Sequence, residues 1–223
     1  SFEINPEGQL DVESAGSLML TGGITWQYDG VAPVEQGFHL YPEDVTATTS
    51  GAGGLITAQT YNYVFTYEWT DGTGKLHRSA PSVPEEIVTV GATSTNTIVV
   101  PTLRQTYKTG QNKVRIVGYR WSTANQTFYQ FTSILTPTLN DPTVDTVTIT
   151  DTLADSSIIG NNLLYTTGGV LENIAPPATF GTALFNNRVF ALASEDKNTV
   201  WYSKPVLPAT PVEFSDLQTI YVA

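Results

Sequence analysis

Few side chains in this sequence could act as a nucleophile, acid or base. There are two histidines, His39 and His77, and no cysteine. A Cys nucleophile, thiolate metal ligation and disulfide bonds are therefore excluded. His77 lies in a predicted strand, where cross-strand packing is more typical than catalysis. His39, between Phe38 and Leu40, indicates a packed arm. Spacing alone does not exclude a Ser-His-Asp triad, but no Gly-x-Ser-x-Gly elbow supports one. We predict a non-enzymatic protein without catalytic residues.

Carboxylates are the remaining candidates for chemistry, and four of them lie within fifteen residues of one another: Asp141, Asp145, Asp151 and Asp155. A calcium site needs acidic and carbonyl oxygens folded around one point, and the EF-hand pattern is absent. Turn and solvent roles are therefore favoured over calcium, and we predict no metal ion and no cofactor. The triplet Asn125-Gln126-Thr127 matches a glycosylation acceptor, a pattern that is common by chance.

A row of alternating aromatic residues dominates the middle of the chain: Tyr61, Tyr63, Phe65, Tyr67 and Trp69. A period of two places all five rings on one face of a strand. They could form a sugar-stacking platform, but a core is favoured because five exposed rings would make a large apolar patch. Glu68 lies on the opposite face, where we expect it to be solvated or paired with a basic residue.

The elements around this row follow a strand-and-turn rhythm. The turn Asp71–Gly74 leads to a predicted return strand at Lys75–Ser79. Short strands separated by turn signals predict a β-sandwich over residues 55–155, with a short helical turn near residues 153–156. The further strand candidates are Glu85–Val90, Thr97–Val100, Val114–Ser122, Phe128–Leu135 and Val144–Thr150.

The flanking regions predict three further parts. Residues 1–54 indicate an extended arm with two short strands, and the small residues of Thr46–Gly54 indicate a flexible loop or linker. Residues 156–180 predict a connector packed along a surface. Residues 181–223 predict a four-strand antiparallel meander, which is either one propeller blade or one edge of another sheet, and one blade cannot bury both of its faces alone. Because the sequence starts at Ser1 without a methionine, we expect a segment of a longer protein.

Charge and hydropathy restrict the partners. The chain has 21 acidic and 10 basic residues and a formal net charge of -11. Such a surface repels phosphate backbones, so sequence-specific nucleic-acid binding is not expected. No apolar stretch is long enough to predict a membrane span.

Two resemblances extend this interpretation. The segment Thr60–Ser82, with its aromatic strand, Asp-Gly turn and Ser-Ala-Pro-Ser ending, resembles a fibronectin type III or immunoglobulin-like strand pair. Val114–Trp121 followed by Phe128–Ile134 resembles a later hairpin of the same fold. The resemblance implies an all-β sandwich used for interaction or spacing, and it does not specify a function.

The second resemblance covers about sixty residues near the C-terminus. The runs Leu164–Asn173, Asn187–Phe190 and Val200–Lys204, with Pro176-Pro177-Ala178 between the first two, resemble structural proteins of tailed bacteriophages. In the tail nozzle or tubular tail proteins of short-tailed phages, a sandwich insertion precedes propeller-like blades. The resemblance implies a virion location, a ring-like homo-oligomer and contacts with other tail proteins.

The expected chemistry is therefore surface complementarity. The candidate interface anchors are Trp201, Tyr202 and Phe214. One alternative is a carbohydrate-binding adhesin or tail-fibre module, in which exposed rings stack on sugar; its candidate residues are Trp26, Tyr28 and Trp121. A second alternative is an accessory domain of a secreted polysaccharide-degrading enzyme.

Overall fold

The computed structural model describes residues 12–14, 16–90, 94–110 and 113–222. This part of the chain is built of antiparallel strands and contains one short helix, α1 (Asp155–Ile158). The predicted all-β class is confirmed. In chain order the strands are β1 (Val12–Ser14), β2 (Ser17–Leu20), β3 (Trp26–Tyr28), β4 (Pro33–Glu35), β5 (Thr46–Ser50), β6 (Thr60–Thr70), β7 (Leu76–Arg78), β8 (Glu85–Val88), β9 (Thr95–Pro101), β10 (Arg115–Ser122), β11 (Thr127–Gln130), β12 (Thr138–Leu139), β13 (Thr146–Asp151), β14 (Thr179–Phe185), β15 (Arg188–Ala193), β16 (Thr199–Tyr202) and β17 (Thr219–Tyr221).

Two sheets pack face to face in the centre of the molecule. The larger has the order β11-β10-β6-β7, with β8 also paired to β6 and β12 to β10, and the smaller has the order β13-β9-β5. All five rings of the aromatic row on β6 are buried between the sheets, against Ile98 and Val100 of β9 and Ile149 of β13. The interpretation of the row as core is confirmed, and the sugar-stacking alternative for these rings is wrong.

The opposite face of β6 is covered as well. Val64 packs with Val117 and Tyr119 of β10 and with Leu164 of the connector. Glu68 is buried there, paired with Arg78 and Arg115. The expected basic partner is therefore confirmed, whereas solvation of Glu68 is wrong, because the connector covers a face that the sequence pattern alone leaves open to water.

The predicted flexible linker is the clearest error. Residues Thr46–Ser50 form β5, which pairs over its whole length with β9. Small residues suggested flexibility, but three of the five are threonine, whose branched side chain favours extended backbone. The pairing also places Ala47 against the sandwich core.

The two ends of the chain pack on each other. The N-terminal sheet has the order β1-β2-β3-β4, where two strands were predicted, and the C-terminal sheet is the predicted meander β14-β15-β16-β17. An antiparallel bridge joins Gly23 to Thr179, and the Thr25 and Thr179 hydroxyl oxygens are 2.7 Å apart. Met19 completes a small core with Val189, Ala191, Val212 and Phe214.

Residues 1–11 of the predicted arm and the terminal Ala223 lie outside the described residues. In the described ranges, no helix has the length and apolar character needed to cross a membrane.

Candidate functional site

A buried ion pair ties the two sheets of the sandwich together. Arg120 on β10 and Asp151 on β13 are fully buried, with guanidinium and carboxylate 2.5 Å apart. The hydroxyl of Tyr63 donates to the same carboxylate at 2.8 Å, and the amide of Asn96 donates to that hydroxyl at 2.9 Å. Arg120 also stacks over the Tyr61 ring. The network is buried and joins strands of both sheets, so it stabilises the packing of one sheet on the other.

His77 occupies a comparable structural position. It is buried and packs against Trp69 across the β6–β7 pair, with ring centroids 5.1 Å apart. Its Nε2 is 3.1 Å from the carboxylate of Asp71. Burial lowers the pKa of His77, which the bond to Asp71 partly opposes. Burial by itself would raise the pKa of Asp71, but hydrogen bonds from His77, Thr73 and the Lys75 N–H hold it below its ordinary value. Gln27 on β3 extends this cluster into the N-terminal sheet.

The four candidate calcium-binding aspartates do not converge. Asp151 and Asp155 both pair with Arg120. Asp145 pairs with Arg104 at the surface, and Asp141 accepts hydrogen bonds from Thr143 in its own turn. Across the described residues, no group of three or more His, Cys, Asp or Glu side chains is arranged to hold a metal ion.

The candidate sugar-stacking rings are dispersed. Trp121 packs against Phe128 on the sandwich, at a centroid distance of 5.1 Å. Trp26 and Tyr28 both lie on β3. Tyr28 is 40% exposed, and Trp26 is half-buried. Asn125, of the glycosylation triplet, is exposed in the β10–β11 turn.

The three candidate interface anchors have different environments. Phe214 is buried inside the chain itself, in the small core around Met19, and therefore offers no surface to a partner. Trp201 is half-buried and faces the same core. Tyr202 is half-buried on the other side of the meander, near Phe190 and beneath the Arg188 guanidinium.

The meander therefore has one covered face and one uncovered face. Val189, Ala191 and Ala193 of β15 are buried, while the residues between them point to the other side and are only partly covered. The strand register places six large apolar side chains on that side, which we term the outer meander face: Phe185, Phe190, Leu192, Val200, Tyr202 and Ile220. Phe185 is 72% exposed.

This face carries almost no charge. Arg188 is the one charged side chain in the four meander strands, and it donates to the carbonyl of Ser203 while lying over Tyr202. In a chain with net charge -11, four adjacent strands without a carboxylate are distinctive. Sequence reasoning found only Tyr202 of the six. The signal for the others was available, because β15 is apolar at both odd and even positions, which is typical of a sheet that is covered on both faces.

A polar junction fixes the meander to the sandwich. Tyr165 of the connector lies between Arg78 and Lys204, and its hydroxyl donates to the carbonyl of Ser79 at 2.6 Å. Lys204 Nζ donates to the Asn173 side chain, which in turn donates to Glu213 at 3.0 Å. The outer meander face is thus presented by a well-anchored sheet.

Comparison with known proteins gives no relative: no family model, no curated protein and no solved structure matches this chain. The fibronectin type III and phage-tail resemblances therefore stay predictions.

Proposed function

We propose that the protein is a non-enzymatic structural module that assembles with copies of itself through the outer meander face, and that it serves as a component of a bacteriophage tail. The observation that carries the self-assembly is the apolar sheet face itself, on which Arg188 is the one charged side chain of the four strands. An exposed apolar patch of this kind is typical of interaction sites in soluble proteins.

A second copy is the occupant that the charge distribution favours. Two copies with net charge -11 repel each other over most of their surfaces, so a contact is least opposed where carboxylates are absent. The outer meander face meets that condition. The other face of the same sheet is covered by the apolar side chains of Met19, Val212 and Phe214. The rings and aliphatic side chains of a second copy would cover the outer meander face in the same way.

The tail assignment rests on the sequence resemblance of residues 164–204, together with the all-β architecture and an assembly surface at one end of the chain. Detection of the protein in the tail of purified virions, by mass spectrometry and immuno-electron microscopy, tests this part. Its absence from virions of a phage that encodes it would overturn the tail assignment and leave self-assembly to be judged separately.

Self-assembly is tested by sedimentation velocity over a range of protein and salt concentrations. We expect association to increase with protein concentration, and to strengthen with added salt because salt screens the repulsion between acidic copies. Leu192→Glu introduces a charge into the face and should give monomers.

Leu135→Glu is the matched control, since Leu135 is 94% exposed in the irregular segment after β11 and lies outside the face. It should associate like the wild type. A wild-type chain that stays monomeric at high concentration in both low and high salt contradicts the proposed self-assembly, as does equal association of the two variants.

A further inference from the structure

A cleft of about 520 Å³ opens where the N-terminal sheet, residues 38–40 and the loop 103–107 meet. This volume lies within the range of small-molecule sites, roughly 300–1,000 Å³. The cleft borders the sandwich core, which contributes Phe38 and Leu103 to its lining, and it is separate from the outer meander face. Tyr107 adds an aromatic ring to the lining, and Arg104 and Gln105 add polar groups. His39, expected in a packed arm, is instead exposed on the wall of this cleft.

The loop 103–107 is held firmly at both ends. At its start, the Asn140 side chain bonds both the N–H and the carbonyl of Leu103, at 2.7 and 2.9 Å. At its end, the Glu35 carboxylate accepts hydrogen bonds from the Thr106 hydroxyl at 2.5 Å and from the Tyr107 N–H at 3.0 Å. The loop between these clamps is therefore pre-organised, which lowers the entropic cost of binding.

Lys108 reinforces the second clamp from inside the protein. Its ammonium is buried, 2.9 Å from the Glu35 carboxylate and 2.7 Å from the Glu35 carbonyl oxygen. The rings of Phe38 and Trp69 lie 5.0 and 5.5 Å from it. Burying a lysine opposes stability unless its pairing is good. The buried pair of Lys108 and Glu35 therefore holds a surface loop in place, and such support of a loop is typical of functional sites.

The fixed loop presents a ring beside exposed polar groups. Tyr107 is 67% exposed, and its ring lies 4.8 Å from that of Trp26, which supports it from one side. Gln105 is exposed, and its amide makes no hydrogen bond within the described part of the chain. The exposed Arg104 guanidinium pairs with the carboxylate of Asp145, which is exposed as well. Glu35 and Thr106 already bond each other and are not available.

We propose that this cleft binds a saccharide unit, with Tyr107 stacking on the C–H face of the sugar and Gln105 and Arg104 bonding its hydroxyl or carboxylate groups. A sugar ring combines an apolar face with a polar rim, which matches a mainly apolar lining that also carries a few polar side chains. An extended peptide fits less well. The adjacent edge strand β4 contains Pro33, which lacks an N–H, and the Glu35 carbonyl already accepts from Lys108.

Saturation-transfer NMR with the whole chain tests the proposal, using glucose, galactose, N-acetylglucosamine and glucuronic acid as probes. We expect at least one probe to bind with a Kd on the order of 1 mM. Tyr107→Ala should weaken that binding by about tenfold because the stacking ring is lost, and Tyr107→Phe should retain it. Arg104→Gln should weaken glucuronic acid more than the neutral sugars, which separates an acidic from a neutral ligand.

Tyr221→Ala is the matched control, because Tyr221 is a 70% exposed tyrosine on β17, away from the cleft. It should bind as the wild type does, and thermal melts should show that each variant is folded. The proposal is overturned if no probe shows saturation transfer, if Tyr107→Ala binds as tightly as Tyr221→Ala, or if an apolar peptide competes while no sugar does. Sugar binding does not depend on the oligomeric state, so its failure is distinguishable from failure of the proposed self-assembly.

Discussion

The sandwich and the meander use the same kind of strand but differ in how completely they are covered. In the sandwich, β6 is buried on both faces, by the smaller sheet on one side and by the connector on the other. In the meander, β15 is covered on one face only. Strand composition therefore sets which faces are apolar, whereas the surrounding chain sets which of those faces are covered. Four measurements test this difference between the two regions.

Arg120→Ala should have the largest effect. It leaves the Asp151 carboxylate buried without its guanidinium, and breaking a buried pair in this way costs about 3–5 kcal/mol. Urea denaturation measures the loss. The exposed ion pair between Arg104 and Asp145 gives the control, because Arg104→Ala should change the free energy of unfolding by less than about 1 kcal/mol. Comparable losses in the two variants would contradict a stabilising role for the buried pair that the exposed pair lacks.

Met19→Ala tests whether the N-terminal sheet and the meander are held together by the small core that they share. Met19 is buried among Val189, Ala191 and Phe214, so truncation should leave a cavity and cost about 2–5 kcal/mol. Hydrogen exchange should show faster exchange in residues 179–221 and preserved protection in β6. Uniform loss of protection would mean that the two regions unfold as one unit.

The pH dependence of stability should reveal Lys108. Burial lowers the pKa of this lysine to about 8. In the unfolded chain it titrates near 10.4, so between these values the unfolded state binds more protons and stability rises with pH. The rise from this group is at most about 3 kcal/mol. Above about pH 10 the buried tyrosines act oppositely, because burial raises the pKa of Tyr63, Tyr67 and Tyr119.

Urea denaturation of the wild type and of Lys108→Met between pH 7.5 and 9.5 isolates this effect. The free energy of unfolding of the variant should lack the rise with pH that Lys108 causes in the wild type. Lys204, whose pKa burial also lowers, is common to both chains and cancels in the difference. A stability difference between the two chains that does not change with pH would contradict the lowered pKa of Lys108.

A pair of isosteric substitutions gives the smallest effects. Val189→Thr places a hydroxyl in the covered face of the meander and should cost roughly 1–3 kcal/mol. Val200→Thr places the same group on the outer meander face and should change the free energy of unfolding of the monomer by less than about 0.5 kcal/mol. Thermal denaturation at low protein concentration compares them. Equal losses would mean that the outer face is not open in the monomer.

Much of the fold was predictable where a local pattern was strong. The strand 61–69, its Asp-Gly turn, the return strand and the meander follow from alternation and turn chemistry, and all are present in the structure. The strand β5 was missed because an edge strand of small residues resembles a linker until its partner, β9, is known. The expected strand 128–135 ends at Gln130, since the chain leaves the sheet there.

The candidate sites were less predictable. Tyr107 and Gln105 lie in a loop without a motif, and they become a candidate site only because Glu35 and Asn140, about 70 and 35 residues away in the sequence, clamp that loop. Phe214 looked like an interface anchor by type, but residues near the two chain ends bury it. Neither the clamping of the loop nor the burial of Phe214 can be inferred from a local pattern in the sequence.

The sequence by itself determined the all-β class, the face on which the five rings of β6 lie, and the acidic surface charge. These follow from the period of two in a strand and from composition, which are local or additive properties. The covered apolar faces, the packing of Met19 on the inner side of the meander and the position of an exposed tyrosine beside a cleft depend on the tertiary structure. Burial depends on contacts between residues far apart in the chain, which no local pattern specifies.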